Sequence, residues 1–163
     1  DSVYLGKGNR KLDISYRTYH IGRRSESDVN VVGALLDQAR KVFRGNLKFE
    51  LGSRRGKGAE KETVVLLSPK VVSDTIPALF CDEDDVNGEH AASAGQISET
   101  QLFYLMSRGL SESEAKQLII MGMFRPIIDL VSHPQLTEEL LGLVNDGMGY
   151  VLREDGTDHE DNQ

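Results

Sequence analysis

Apolar and polar residues alternate along much of the first half of the chain. Leu12, Ile14 and Tyr16 occupy every second position between polar neighbours, which is the period of a half-buried β-strand. Other short runs, alternating or continuously apolar, predict strands at residues 3–5, 42–51, 63–67, 71–72 and 76–80. Strands that recur at such short intervals, with Gly, Ser, Asn and Asp between them, indicate a sandwich, a barrel or a solenoid.

Residues 31–43 carry a mixed signal. Their apolar residues lie at helical spacing, and the Ala, Leu, Gln, Arg and Lys among them favour a helix by intrinsic propensity. On propensity alone, a helix and a strand are about equally favoured there.

Helical signals begin at Ser98. Ser98 with Gln101, and Ser111 with Glu114, have the spacing of capping boxes, so each pair predicts the N-terminus of a helix. Gly109 follows the first of these helices and predicts its end, because glycine readily takes the left-handed conformation found there.

The later helices are less clearly bounded. Pro126 either ends the second helix or opens another one at residues 127–131. Thr137 is predicted to cap a last helix that runs to Gly147. Strands first and helices later indicate an α+β arrangement.

The composition is that of a globular protein. The chain has 163 residues, of which 39% are hydrophobic and 28% charged, and this fits one domain or a domain with a small appendage. It has no apolar run long enough for a membrane span and no signal-peptide pattern, so no membrane partner is expected. A single cysteine, Cys81, excludes an intramolecular disulfide and favours a reducing compartment, the cytoplasm.

The net charge of −7 is unevenly distributed. Residues 1–70 carry 15 basic and 8 acidic side chains, a net charge of +7. The remaining segments are acidic, with −6 over residues 71–97, −4 over residues 98–151 and −4 over residues 152–163. Such asymmetry concerns surfaces and partners rather than the fold.

Three motif-like segments fail on their defining residues. Residues 52–58 (GSRRGKG) are one residue too short between the first glycine and Gly-Lys for a phosphate-binding loop, so they predict a basic turn. Residues 83–94 begin like a calcium loop but end in Ala94, where the ion needs a bidentate glutamate. The helix–turn–helix outline at residues 98–124 offers only Lys116 as a cation in its second helix, which disfavours DNA recognition.

Cys81 and His90 are the candidate metal ligands. A thiolate and an imidazole suit zinc, copper or iron, and the acidic residues between them would attract a cation. The spacing of the pair is not specific for a metal, however, and a buried cysteine beside a solvated acidic loop accounts for the same residues. The sequence indicates no nucleophilic triad and no catalytic carboxylate pair.

Two adjoining segments resemble the SufB/SufD family, the scaffold proteins of the SUF iron–sulfur cluster assembly system. IPALFCDEDDVNGEHAASAGQI covers residues 76–97, and SETQLFYLMSRGL and SESEAKQLIIMGM follow it over residues 98–123. The acidic stretch, the Glu-His-Ala-Ala sequence and QLFYLMSRG together are highly specific. Similarity continues through HIGRRSESD, VFRGNLKF and VVLLSPKVVSDTIPALF, so that the resemblance covers residues 5–131. Family members are longer, which indicates their C-terminal part.

The resemblance implies a mainly β fold with a helical appendage, namely a right-handed parallel β-helix followed by a small α-helical domain. Residues 1–97 would form C-terminal rungs of the β-helix, residues 98–151 the helical domain, and residues 152–163 an acidic disordered tail. Residues 29–43 would then be strands and turns, against their helical spacing. A solenoid cut across its rungs exposes an unpaired end, so we expect association through that end, as a homodimer, or through the lateral dimer face of the family.

The resemblance also implies a non-enzymatic scaffold. In the family, one SufB and one SufD pair through their β-helices, and the helical domain of each binds a SufC-type ABC ATPase. Dimerisation of the ATPases is thought to move the core and expose the cluster-forming site. The candidate ATPase-binding residues are those of the first helix: Leu102, Phe103, Tyr104, Met106 and Arg108. Helical periodicity requires about half of these five to face the solenoid instead of the partner.

The family's metal-binding position falls on His90. SufD-like members have a histidine at that position, at the core interface, whereas SufB-like members follow it with a glutamate where this chain has Ala91. SufB-like members also have an essential cysteine upstream, where this chain has Glu62 or a neighbour, so the chain is more SufD-like. Cys81 matches a cysteine of some SufB-like members and is the second candidate ligand.

An iron–sulfur cluster is expected only transiently, in the assembled complex with a SufB-type paralogue. None is expected in the isolated chain, because one cysteine and one or two histidines leave the ligand set incomplete. Two alternatives of other classes stay open. One is a β-helix enzyme that acts on polysaccharide through the carboxylates of residues 82–85, and the other is a nucleic-acid-binding module that uses the basic half.

Overall fold

The computed structural model describes residues 1–149. Within them, seven parallel strands wind into a solenoid, and three helices follow the strands. The elements in chain order are β1 Ser2–Gly6, β2 Lys11–His20, β3 Glu26–Leu35, β4 Arg40–Phe49, β5 Gly56–Leu66, β6 Val72–Cys81, β7 Val86–Gln96, α1 Glu99–Ser107, α2 Glu112–Ile128 and α3 Pro134–Met148.

The strands form two parallel sheets, because successive strands alternate between them. One sheet has the order β1-β3-β5-β7 and the other the order β2-β4-β6. In the second sheet Lys11 pairs with Arg40, and Arg40 pairs with Val72, so that each strand lies over the one before it in the same sheet. The solenoid makes about three turns, which confirms the predicted parallel β-helix with its helical appendage.

The interior of the solenoid and the space beneath the helices are packed separately. Leu35, Ala39 and Val64 form a buried cluster inside the turns. The opposite face of the β1-β3-β5-β7 sheet meets the helices, where Val32, Ala34 and Val65 pack against a buried set on α2 and α3: Ile120, Phe124, Ile128 and Val144. The helices are therefore attached to the solenoid by a continuous apolar contact.

The signals at the starts of the first two helices are confirmed. Ser98 caps α1 by accepting a hydrogen bond from the backbone N–H of Gln101. Ser111 and Glu114 form a reciprocal capping box at the start of α2. Gly109, with φ of 98°, follows α1 in the left-handed conformation.

Two helix-boundary predictions are wrong. Pro126 lies inside α2, so residues 127–131 are not a separate helix. A proline there costs about 3 kcal/mol of helix stability, and the burial of Phe124 and Ile128 on either side compensates for it. Thr137 is not the N-cap of α3 either, because that helix begins at Pro134 and its N-cap is His133. At the other end, α3 runs through Gly147 to Met148, and its C-cap is Gly149.

The strand predictions needed three corrections. Residues 31–43 belong to β3, a turn and β4. The strands and turns that the family resemblance implied here are confirmed, and the helix that the apolar spacing favoured is not formed. The two runs at residues 71–72 and 76–80 are a single strand, β6. β7 had no strand signal, because its residues are small or polar, and it forms by pairing with β5.

The predicted acidic tail at residues 152–163, together with the end of the predicted helical domain at residues 150–151, lies outside the described residues. Within residues 1–149, no helix is both long and apolar enough to cross a membrane.

Candidate functional site

The interior face of β5 carries two glutamates. In this strand the buried positions alternate, so Glu60 and Glu62 point inward in phase with Val64. β5 lies between β3 and β7 in its sheet, which places both carboxylates against the strands of the preceding and the last turn.

Glu62 is the centre of a buried polar network. Lys41 Nζ lies 2.7 Å from Glu62 Oε1, and both side chains are almost completely buried. Tyr4 Oη donates to the same oxygen at 2.9 Å, and Thr75 Oγ1 donates to Oε2 at 2.7 Å. Burial and the neighbouring carboxylate raise the pKa of Tyr4, so its hydroxyl stays a donor. Both oxygens of Glu62 are therefore satisfied.

Glu60 and His90 form a second, different pair. They are register partners on β5 and β7, with His90 Nδ1 3.7 Å from Glu60 Oε1. Desolvation, and then the charge of Glu62, raise the pKa of Glu60. Desolvation lowers the pKa of His90. Burial thus favours the neutral form of each group.

His90 is sheltered in this conformation. Its side chain is 16% exposed, and both of its ring nitrogens are buried without a hydrogen-bond partner among the described residues. A neutral imidazole nitrogen with no hydrogen bond keeps its lone pair or its proton available to a metal ion or an acceptor. No group of three or more His, Cys, Asp and Glu within residues 1–149 is arranged to hold a metal ion.

Cys81 is exposed and lies at the end of β6, in the sheet opposite that of His90. The alternative prediction, in which Cys81 is a small buried hydrophobic residue, is therefore wrong. The acidic residues 82–85 form the turn between β6 and β7. A β-helix enzyme that acts on polysaccharide would need these carboxylates along a groove of the solenoid. They lie instead in the connection between the last two strands, which does not support that alternative.

Several basic side chains of the first half pair with acidic residues on adjacent turns. Arg44 pairs with Asp13, Lys57 Nζ lies 3.3 Å from Glu26 Oε1, and Lys48 contacts Asp82 at 3.2 Å. These ion pairs join residues that are about thirty positions apart, because the turns of the solenoid stack. Six of the 15 basic residues at positions 1–70 form ion pairs in the described part of the chain, so the nucleic-acid-binding alternative stays open.

The five candidate partner-binding residues divide between two faces of α1. Leu102 is half-buried and lines a cleft with Leu66, Leu67 and Lys116. The other four are exposed, with Phe103 at 73%, and the guanidinium of Arg108 lies 5.3 Å from the ring centroid of Tyr104: Phe103, Tyr104, Met106 and Arg108. An apolar groove of about 410 Å³ runs between α1 and α2 beside Tyr104, Leu105 and Ile119.

Lys41 and Glu60 were not predicted from the sequence as site residues, and Glu62 was marked only as the place of a missing cysteine. The signal was present, since Glu60 and Glu62 stand four and two positions before the apolar Val64 in an alternating strand. It was obscured because the surrounding sequence, GKGAEKE, reads as a polar turn.

The strands and the helices that follow them define a parallel β-helix domain with a helical appendage. Residues 1–123 match the family model described as "SUF system FeS cluster assembly, SufBD core domain". The chain belongs to the SufB/SufD family, and its similarity to the C-terminal part of SufD confirms the SufD-like assignment.

Curated relatives agree with this family. The chain is 33% identical to the iron–sulfur cluster assembly protein SufD of Bacillus subtilis over 143 residues, which are 88% of this chain and 33% of that protein. It is 35% identical over 127 residues to an iron–sulfur cluster assembly SufBD family protein of Staphylococcus saprophyticus, covering 76% of this chain and 26% of the relative. A Mycobacterium leprae SufBD family protein is 32% identical over 125 residues, which are 77% of this chain and 14% of that protein. The chain thus spans a third or less of these relatives.

Proposed function

We propose that this chain is a non-enzymatic scaffold segment of a SUF-type complex, in which an iron–sulfur cluster is assembled as cargo. The observation that carries the proposal is His90, which lies on the last turn of a SufBD core and whose nitrogens have no partner in the described part of the chain. Imidazole nitrogen is an established ligand of iron in iron–sulfur clusters.

The available donors support a shared site better than a self-contained one. His90 offers one imidazole and Cys81 one thiol, and the two residues lie on different sheets. Iron–sulfur clusters are held mainly by thiolates, so the remaining ligands would come from a SufB-type partner. His90 is the first candidate ligand and Cys81 the second.

His90 must become accessible before it can bind iron. Both nitrogens lie beneath the surface, so the ring has to turn or the last turn has to shift. ATP-driven movement of an attached ATPase would supply such a change. The sheltered histidine is therefore consistent with a site that opens only during the assembly cycle.

Pairing with a SufB-type scaffold, or with a second copy, would use the last turn of the solenoid. β6 and β7 are the outermost strands of the two sheets, and an outermost strand presents unpaired backbone groups. Ile76 and Phe80 are exposed on the outer face of β6, and Leu79 is exposed on its inner face at the open end of the solenoid. Burial of this apolar surface against another sheet would be favourable.

The ATPase would dock on α1 and on the apolar groove between α1 and α2. Phe103, Tyr104 and Met106 present exposed apolar surface, and Arg108 adds a cation beside Tyr104. Aromatic residues and arginine contribute strongly to binding at protein interfaces. Leu102 supports α1 from its packed side rather than facing the partner.

Co-purification with a SufC-type ATPase tests the partner claim. Phe103→Ala is expected to reduce ATPase capture at least tenfold, whereas Leu130→Ala removes a comparably exposed apolar side chain elsewhere and should leave capture unchanged. Absence of capture by the folded wild-type chain would refute this part of the proposal.

Anaerobic reconstitution with iron and sulfide tests the metal-binding part, using the chain assembled with its SufB-type partner. His90→Ala should lower the cluster yield severalfold. His133→Ala is the matched control, because His133 is an exposed histidine at the N-cap of α3. An unchanged yield in His90→Ala would remove His90 from the site.

A further inference from the structure

Two glutamates that share one strand and one face have opposite environments. Glu62 receives hydrogen bonds from Lys41, Tyr4 and Thr75. Glu60, two positions earlier, is 2% exposed, and neither of its carboxylate oxygens has a hydrogen-bond partner among the described residues. A buried polar group without a partner costs about 1–3 kcal/mol, and more when it is charged, so Glu60 is not explained by stability.

The fold leaves room for Glu60 at the expense of another side chain. Gly45 occupies an inward-facing position of β4, between Phe43 and Leu47. A Cβ atom added at Gly45 would lie 1.3 Å from Glu60 Oε1. Only glycine therefore accommodates the Glu60 carboxylate in its present place.

On the last turn of the solenoid, Glu60 faces His90. The two residues are opposite each other in the β5–β7 ladder. Four buried polar atoms there have no hydrogen-bond partner within residues 1–149: Glu60 Oε1 and Oε2, and His90 Nδ1 and Nε2. Of these, His90 Nδ1 lies 3.7 Å from Glu60 Oε1. A rotation that closes the gap by about 0.7 Å would give a normal N–H···O hydrogen bond.

We propose that Glu60 is a positioning residue for His90: its carboxyl group accepts a hydrogen bond from Nδ1–H, which leaves the lone pair of Nε2 free for a metal ion. The inference rests on the proposed function of His90. Histidines that bind metals usually donate their other ring N–H to a carboxylate or a carbonyl, which selects the tautomer and orients the ring.

The tautomer of His90 can be read in the metal-free chain by ¹⁵N NMR of the imidazole nitrogens, with His90→Ala used for the assignment. The wild-type chain is expected to carry the proton on Nδ1. Glu60→Leu, which fills the space without an acceptor, should shift the proton toward Nε2. Glu60→Gln retains an acceptor oxygen and should preserve the Nδ1–H tautomer.

Glu89→Gln is the matched control, because Glu89 is adjacent to His90 in sequence but lies on the exposed face of β7. It should leave the spectrum unchanged. An Nε2–H tautomer in the wild-type chain, or the same tautomer in wild type and Glu60→Leu, would overturn the inference.

A metal measurement complements the spectrum. In the complex with the SufB-type partner, Glu60→Leu should weaken Fe(II) binding about 10- to 100-fold, with Glu60→Gln restoring much of the loss. Equal affinity in Glu60→Leu and wild type would also overturn the inference. The tautomer test involves no cluster, so its failure is distinct from failure of the proposed function, which a normal cluster yield in His90→Ala would reveal.

Discussion

The Lys41–Glu62 ion pair should be the most sensitive point of the solenoid interior. Lys41→Met keeps most of the length of the side chain but removes its charge and its three hydrogen bonds. The ammonium donates to Glu62 Oε1 at 2.7 Å and to Asp74 O and Thr75 Oγ1, each at 3.2 Å. The substitution would leave the Glu62 carboxylate buried with only the two neutral donors Tyr4 and Thr75.

The expected magnitude follows from the burial of the pair. Lys41 is 0% and Glu62 1% exposed, so water cannot replace the missing ammonium without a change in the structure. Removal of one partner from a buried ion pair costs about 3–5 kcal/mol. Tyr4→Phe is the control, because it removes one neutral donor to Glu62 and keeps the ion pair, at a cost of about 1 kcal/mol.

Urea unfolding followed by circular dichroism measures these free energies. The double variant Lys41→Met/Glu62→Gln removes both charges, so it should be about 2 kcal/mol more stable than the sum of the two single losses predicts. A loss below about 1 kcal/mol in Lys41→Met would refute the reasoning. Strict additivity in the double variant would refute it as well, since the two residues would then not be coupled.

Three further outcomes are expected. The pKa of Glu60 is raised above its ordinary value of 4.5, so the folded chain holds a proton that the unfolded chain has lost, and stability should fall as pH rises above about 4.5. Glu60→Gln should flatten that fall in urea midpoints measured across this range, and an unchanged slope would contradict it. Phe124→Ala empties a fully buried position between the helices and the sheet and should cost about 3–5 kcal/mol in the same assay; a cost below about 1 kcal/mol would show that the helices do not depend on this contact. Ser111→Ala removes the capping box of α2 and should cost about 1 kcal/mol, with a lower melting temperature, while an unchanged melting temperature would contradict it.

The sequence was most informative where a local signal and the tertiary structure agree. The alternation of Leu12, Ile14 and Tyr16 predicted a strand, and the serines at positions 98 and 111 marked the first two helix starts. These signals are reliable because the pleat of a strand and the cap of a helix involve only neighbouring residues.

Local signals failed where distant residues stabilise the conformation. Residues 31–43 have helical spacing but form strands, because stacking on adjacent turns satisfies their backbone hydrogen bonds. The small and polar residues of β7 form a strand since β5 provides a template. Pro126 stays helical because Phe124 and Ile128 are buried on either side of it.

By itself, the sequence determined that Leu12, Ile14 and Tyr16 share a face of one strand, that helices follow strands, and that the chain resembles the SufB/SufD family. Only the tertiary structure decided which distant residues meet. The stacking of turns brings Glu60 beside His90 and Lys41 beside Glu62, and it pairs the basic side chains of one turn with acidic ones of another. Side-chain periodicity is a local property of the backbone, whereas the register between turns depends on where each turn of the solenoid begins and ends.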